Sequence, residues 1–166
     1  MEAKDVLELL RLFHAAGIEV VVDGGWAVDT LLGEQTRPHE DLDIALRHRD
    51  VPKLRRLLED RGYRDVPRDD TRDCNFVLGD PHGRLVDIHS YEFDEQGNNI
   101  YGVAYVPGDL TGTGTILGHP VRCGSVESLI RGRSGYQLRP KDFLDVRALC
   151  ARFGLPLPAL ISDPGK

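Results

Sequence analysis

Asp41-Leu42-Asp43-Ile44-Ala45-Leu46 opens with acid and aliphatic residues in strict alternation. Successive side chains of a strand point to opposite faces, so Leu42 and Ile44 would enter a core while Asp41 and Asp43 present two carboxylates on the other side. Aspartate disfavours strands. Two at alternate positions suit either an exposed edge with solvated acids or a strand that offers oxygen ligands to a hard divalent cation.

Outward from this stretch, the apolar, β-branched run at 18–22 predicts a buried strand leading directly into Asp23-Gly24-Gly25. The spacing of Trp26, Ala27, Leu31 and Leu32 then predicts a helix closed by Gly33. Glycines at a strand-to-helix turn let the backbone approach a phosphate closely while the helix N-terminus aims its amides at the anion. A tight turn is the other use of such a pair. Upstream, Val6, Leu9, Leu10 and Phe13 mark an amphipathic helix over 5–16. Downstream, Asp50 reads as an N-cap with Pro52 in the first turn, and Val51, Leu54, Leu57 and Leu58 carry a helix ending at Gly62.

A third acid stands in Leu85-Val86-Asp87-Ile88-His89, again framed by aliphatic residues. Strands at 75–79 and 84–93 flank the turn Asp80-Pro81-His82-Gly83, which makes them antiparallel neighbours. If the strand of Asp87 also lies beside that of Asp41 and Asp43, the three carboxylates converge. Such acids repel one another unless a cation intervenes. A phosphate cradle, carboxylates for metal ions and a proton acceptor are together what phosphoryl-type transfer to a hydroxyl requires.

The Gly- and Thr-rich segment 101–123 reads as strand and loop material wrapping the sheet edge, and 125–133 and 140–153 as two further helices. The expected architecture is one α+β domain over 1–154, a mixed or antiparallel sheet flanked by helices, followed by a loosely held tail at 155–166. Its 166 residues, 40% hydrophobic and 29% charged, are enough for a sizeable core. The net charge of -6 argues against a broad basic face for nucleic acid. Cys74, Cys123 and Cys150 form no CxxC pair and are read as core residues in a reducing cytoplasm, without a zinc site. No apolar stretch reaches the ~18 residues needed to span a bilayer, and no basic leader precedes one, so no membrane is expected.

Taken together the motifs resemble the antibiotic nucleotidyltransferases of the DNA polymerase β superfamily. The residues are Asp23-Gly24-Gly25-Trp26-Ala27-Val28-Asp29, Arg37-Pro38-His39-Glu40-Asp41-Leu42-Asp43-Ile44 and Val86-Asp87-Ile88-His89. The likeness is greatest to small lincosamide nucleotidyltransferases, with aminoglycoside 2''-nucleotidyltransferases nearby. It continues through Pro120-Val121-Arg122-Cys123, Ser125, Gly135-Tyr136, Asp142-Phe143 and Asp145-Val146, roughly residues 5 to 150. Asp23 stands where the superfamily usually has a hydrophobic residue, and the interval from Gly25 to Asp41 is long. Both departures occur in the lincosamide branch.

The resemblance implies a polymerase β-like nucleotidyltransferase fold. It implies transfer of a nucleoside monophosphate, AMP from ATP or the equivalent from another nucleoside triphosphate, to a hydroxyl of a small antibiotic-like acceptor. Asp41 and Asp43 would bind Mg²⁺, as two ions, and Asp87 would either join the metal site or deprotonate the hydroxyl. Gly24 and Gly25 would hold phosphate. Arg37 and His39 are candidates for the triphosphate, against a solvated loop, and Lys141 and Tyr136 for phosphate and base, against capping and packing. His89, Tyr91 and Glu92 are candidates for the acceptor pocket, and His89 can equally orient a carboxylate. Trp26 reads as packing its helix onto the sheet. A lincosamide is the expected acceptor and an aminoglycoside the alternative. A protein-modifying member would need an open apolar acceptor surface, and a regulatory one would be marked by loss of a carboxylate, yet all three are present. Small relatives can complete the acceptor site across a dimer, which leaves a homodimer open.

Overall fold

The order in which the strands join one mixed sheet decides where the carboxylates meet. In the computed structural model, which describes residues 1–133 and 138–162, β1 (Val20–Val22) pairs antiparallel with β2 (Asp41–Arg47). β2 in turn pairs in parallel with β5 (Leu85–Phe93). The far edge of β5 takes β4 (Asn75–Gly79) and β6 (Asn99–Gly102), both antiparallel. β3 (Arg64–Val66) lies outside β4. On the other side β8 (His119–Cys123) joins β1 in parallel, and β7 (Gly112–Ile116) closes the sheet beyond it.

The alternation in β2 fixes which face is buried. Leu42, Ile44, Val86 and Ile88 pack with α1 (Ala3–Ala15), α2 (Gly24–Leu32) and α3 (Val51–Glu59) through Phe13, Trp26, Leu54 and Leu58. Burying a Leu or Ile side chain is worth ~1.5–3 kcal/mol. A one-residue slip of β2 would exchange Leu42 and Ile44 for the aspartates, so the register is strongly specified. The opposite face is covered farther along by the loop after β6, where Leu110 and Tyr105 pack with Val21, Ala45 and Tyr91. Near the acidic end that face stays open. Two further helices, α4 (Val126–Gly132) and α5 (Pro140–Phe153), pack on α2 beside this opening.

Two local features differ from expectation. Asp50 does not cap α3 with its side chain, because a 3-10 turn at His48–Asp50 precedes the helix and leaves Asp50 itself helical, at φ -90 and ψ -9. Side-chain capping needs an extended residue there. Cys123 and Cys150 are buried as expected, but Cys74 is only half-buried. What Cys74 contributes is its carbonyl, which accepts from Ser90 N. Beyond Gly154 the chain is tied back: Leu155 N donates to Cys150 O, and α6 (Ala159–Ser162) lays the buried Ile161 against Val146 and Cys150. No helix among the described residues is long and apolar enough to cross a membrane.

Candidate active site

Parallel pairing of β2 with β5 sets Asp43 directly opposite Asp87, and Ala45 opposite His89. Asp43, Asp87 and His89 offer ligand atoms that all lie within 4.8 Å of one another. Asp41, one pleat away on the same face, falls outside that trio but lines the same cleft, whose volume is about 610 Å³. The other walls come from Gly24 and Gly25 at the start of α2, from Arg37, His39 and Glu40 before β2, and from Arg133, Arg139 and Lys141 around α5.

The charges in this cleft are not balanced. Desolvation at the cleft floor and the neighbouring Asp41 carboxylate push Asp43 up to about 7, with Asp87 and Asp23 adding to the effect against the opposing influence of His89. Burial disfavours a charged His89, but its hydrogen bond to Asp87 and the charges of Asp87, Asp43 and Asp23 outweigh that and raise it to about 9. A protonated His89 has two N–H donors. Nε2 is 3.2 Å from Asp87 Oδ1, and Nδ1 is 3.5 Å from the Tyr105 hydroxyl. That hydroxyl donates to Asp23 Oδ2, while Asp23 Oδ1 accepts from Gly24 N at 2.8 Å. Asp23 is therefore the N-cap of α2, which accounts for an acid at a place where its superfamily position is usually apolar.

Gly24 and Gly25 form the first turn of α2 rather than a loop before it. Gly24 adopts φ +58, and a Cβ there would overlap the Asp43 carboxylate, 2.5 Å from its Cγ. At Gly25 a Cβ would lie 2.5 Å from His39 Nδ1 and 2.7 Å from Arg37 Nη2. Both glycines are thus required by the side chains that crowd the turn. Amides in a helix's first turn lack intrahelical acceptors, so those of Gly25 and Trp26 are available to an anion.

Arg37 lines the cleft held by two bonds to Asp145, at 3.1 and 3.0 Å. His39 is buried against the Trp26 ring, with centroids 4.5 Å apart. Its Nδ1 lies 3.0 Å from Arg37 Nη1, which can only donate, so Nδ1 accepts and Nε2 carries the proton given to Asp29. With both ring nitrogens engaged, His39 braces Arg37 where both line the cleft. Trp26 packs as expected and is fully buried. Tyr91 and Glu92 do not join the cleft: Tyr91 packs with Val21, Ala45 and Leu110, and Glu92 accepts from Arg49 N and faces Arg47. Tyr136 lies outside the described residues.

A model of the aminoglycoside-2''-adenylyltransferase family matches residues 5–149. The chain belongs to that family. A lincosamide resistance protein of Staphylococcus haemolyticus is 30% identical over 152 residues, 88% of this chain and 92% of that protein. A 2''-aminoglycoside nucleotidyltransferase of Escherichia coli is 30% identical over 135 residues, 78% of this chain and 73% of its own. A solved, lincomycin-bound lincosamide antibiotic adenylyltransferase superposes with a TM-score of 0.78 at 25% identity, covering 90% of this chain and 96% of that one. The structure of ANT(2'')-Ia with adenylyl-2''-tobramycin shares the fold, with a TM-score of 0.74 at 22% identity and coverage of 92% and 89%. The polymerase β-like fold expected from the motifs is the one found, and this adenylyltransferase-family member is a nucleotidyltransferase enzyme.

Several residues that shape this family member's cleft have no periodic signal in the sequence. Arg133 lines it from a distant segment, while Tyr105 and Asp145 act from behind it, Tyr105 on Asp23 and Asp145 on Arg37 and Arg133. Tyr105→Phe removes the hydroxyl that covers Asp23 Oδ2 and returns a bare carboxylate to the glycine turn. We expect a loss of stability of about 1 kcal/mol and nucleotide KM raised roughly 3- to 10-fold. Thermal melts and initial rates at varied nucleotide check both.

Proposed function

We propose that this chain transfers AMP from ATP to a hydroxyl of a lincosamide and releases pyrophosphate. The observation that carries the reading is the facing pair Asp43 and Asp87, set beside the glycine turn of α2 in a nucleotidyltransferase. Carboxylate oxygens on adjacent strands suit Mg²⁺, and the raised Asp43 marks negative charge that a cation would neutralise. Asp41, Asp43 and Asp87 would hold it, as two ions, whereas His89 is a poorer Mg²⁺ ligand. Bound Mg²⁺ would neutralise charge developing on the phosphate oxygens.

The chain's own groups do the rest. The Gly25 and Trp26 amides, Arg37 and Lys141 hold the triphosphate with its leaving end toward α2. His89 donates to Asp87 Oδ1 and so fixes the carboxylate, leaving Oδ2 to take the proton of the acceptor hydroxyl. The bond from the acceptor oxygen to the α-phosphorus forms as the bond to the bridging oxygen of pyrophosphate breaks. No covalent enzyme intermediate is needed.

A lincosamide is favoured over an aminoglycoside because the likeness runs through 92% of the lincosamide resistance protein but 73% of the aminoglycoside enzyme. Pyrophosphate release from ATP should be at least roughly tenfold faster in kcat/KM with lincosamides than with aminoglycosides. Release with aminoglycosides alone would reassign the acceptor. Silence with every antibiotic, whether ATP or GTP is supplied, would overturn the reading.

A further inference from the structure

We propose that Asp145 is the positioning residue of a two-arginine clamp, formed by Arg37 and Arg133, that grips the nucleotide's triphosphate. The inference deepens the nucleotidyl-transfer reading and rests on it.

Asp145 is 3% exposed, on the inner face of α5. Its Oδ1 accepts from Arg37 Nε at 3.1 Å, and its Oδ2 accepts from Arg37 Nη2 and from Arg133 Nη2, each at 3.0 Å. One carboxylate therefore fixes two guanidinium groups that come from segments far apart in the chain. Both also lie against the glycine turn, and Arg133 is bonded to it. Arg133 Nη2 donates to Gly24 O at 3.2 Å and Nη1 to Leu129 O at 3.0 Å. Arg37 Nη2 lies so close to Gly25 that a Cβ there would sit 2.7 Å from it. Both arginines line the cleft.

Two positive charges share one negative charge, so the clamp presents a net positive charge to the cleft beside the N-terminus of α2. Arg133 is 7% exposed, and its Nε has no hydrogen-bond partner among the described residues. A buried guanidinium donor left unpaired costs stability. Keeping one against an anion-binding turn suits a ligand better than it suits packing. The forks themselves are spent on Asp145 and the backbone, so each guanidinium is held still and offers phosphate its charge and its remaining N–H from a fixed place, which a mobile cation does not.

The opposite explanation is that Asp145 only ties α5 to its neighbours. The two differ in sign. Deleting a negative charge near a polyanion strengthens nucleotide binding if charge alone matters, whereas loss of the clamp's geometry weakens it. The test is calorimetric titration of the whole chain with Mg²⁺ and ATP, without an acceptor, for wild type and Asp145→Asn. Affinity should fall roughly 10- to 100-fold in the variant. Affinity unchanged or increased in folded Asp145→Asn overturns the proposal. If that variant does not fold, Arg133→Lys keeps the charge and loses the fork: a tenfold weaker affinity supports the clamp, and an unchanged one overturns it. Because no acceptor is present, a wrong acceptor assignment would show separately, as normal ATP binding without turnover.

Discussion

Asp43→Asn is expected to lower nucleotidyl transfer by roughly 10³-fold or more while raising the melting temperature of the metal-free protein. On the proposed reading the loss follows from removing a carboxylate that would hold Mg²⁺ at the point where β2 and β5 bring Asp43 and Asp87 face to face. The gain follows from the electrostatics of the same place. Asp43 is raised from 3.8 to about 7 by desolvation and by Asp41, so the folded, metal-free chain binds a proton that the unfolded chain has released. Stability tied to that proton is fully present below pH 3.8 and is lost as pH rises through about 7. His89, raised from 6.5 to about 9, acts in the same direction at higher pH. Metal-free protein should therefore weaken steadily from about pH 4 to pH 9. The Asp43 contribution is on the order of 2–4 kcal/mol above pH 7, so Asp43→Asn should melt roughly 5 °C higher at pH 8. Mg²⁺ should stabilise wild type at pH 8 and have little effect at pH 5. Scanning calorimetry at the two pH values, with and without Mg²⁺, reads all of this. A variant that melts lower than wild type at pH 8 without metal would contradict the electrostatic reading.

Gly24→Ala should be nearly as damaging to activity and, unlike Asp43→Asn, should destabilise. An L residue at φ +58 costs roughly 1–2 kcal/mol. The new methyl would also overlap the Asp43 carboxylate. Relief requires Asp43 or the first turn of α2 to move, and displacements of about 1 Å at a reacting centre cost on the order of 100-fold in rate. We expect turnover reduced roughly 100- to 1000-fold and stability lowered by about 2–3 kcal/mol. Gly25→Ala should act differently, because its methyl meets Arg37 and His39: nucleotide KM should rise with a smaller change in kcat. Equal effects of the two substitutions on kcat would argue against the separate roles of the glycines. Steady-state kinetics with denaturant melts distinguish the cases.

What the sequence made legible was whatever has a short period. Leu42 and Ile44 against Asp41 and Asp43, the 75–79 and 85–93 hairpin, and the helices set by Val6, Leu9 and Phe13 or by Leu54 and Leu58 all follow from alternation or helical spacing over a few residues. The glycine turn was visible, but its cause was not. Gly24 and Gly25 are small because Asp43, Arg37 and His39 press on them, and such contacts depend on which strands become neighbours. The parallel addition of β8 to β1, at Val22 and Cys123, was hidden in a Gly-, Thr- and Pro-rich segment of weak strand propensity. Tyr105 reaches Asp23 across 82 residues, and Arg37 reaches Asp145 across 108. Pairings at that separation leave no periodic trace. His39, next to the acidic strand, was legible as a cleft residue, but its bonds to Arg37 and Asp29 and its packing on Trp26 were not.

The most direct measurement is the mass of lincomycin after incubation with the protein, ATP and Mg²⁺. Wild type should convert it to a product heavier by one adenylyl group, and Asp43→Asn should leave it unchanged. Unmodified lincomycin after exhaustive incubation with wild type, or equal conversion by Asp43→Asn, would contradict a carboxylate-centred adenylyl transfer at this cleft.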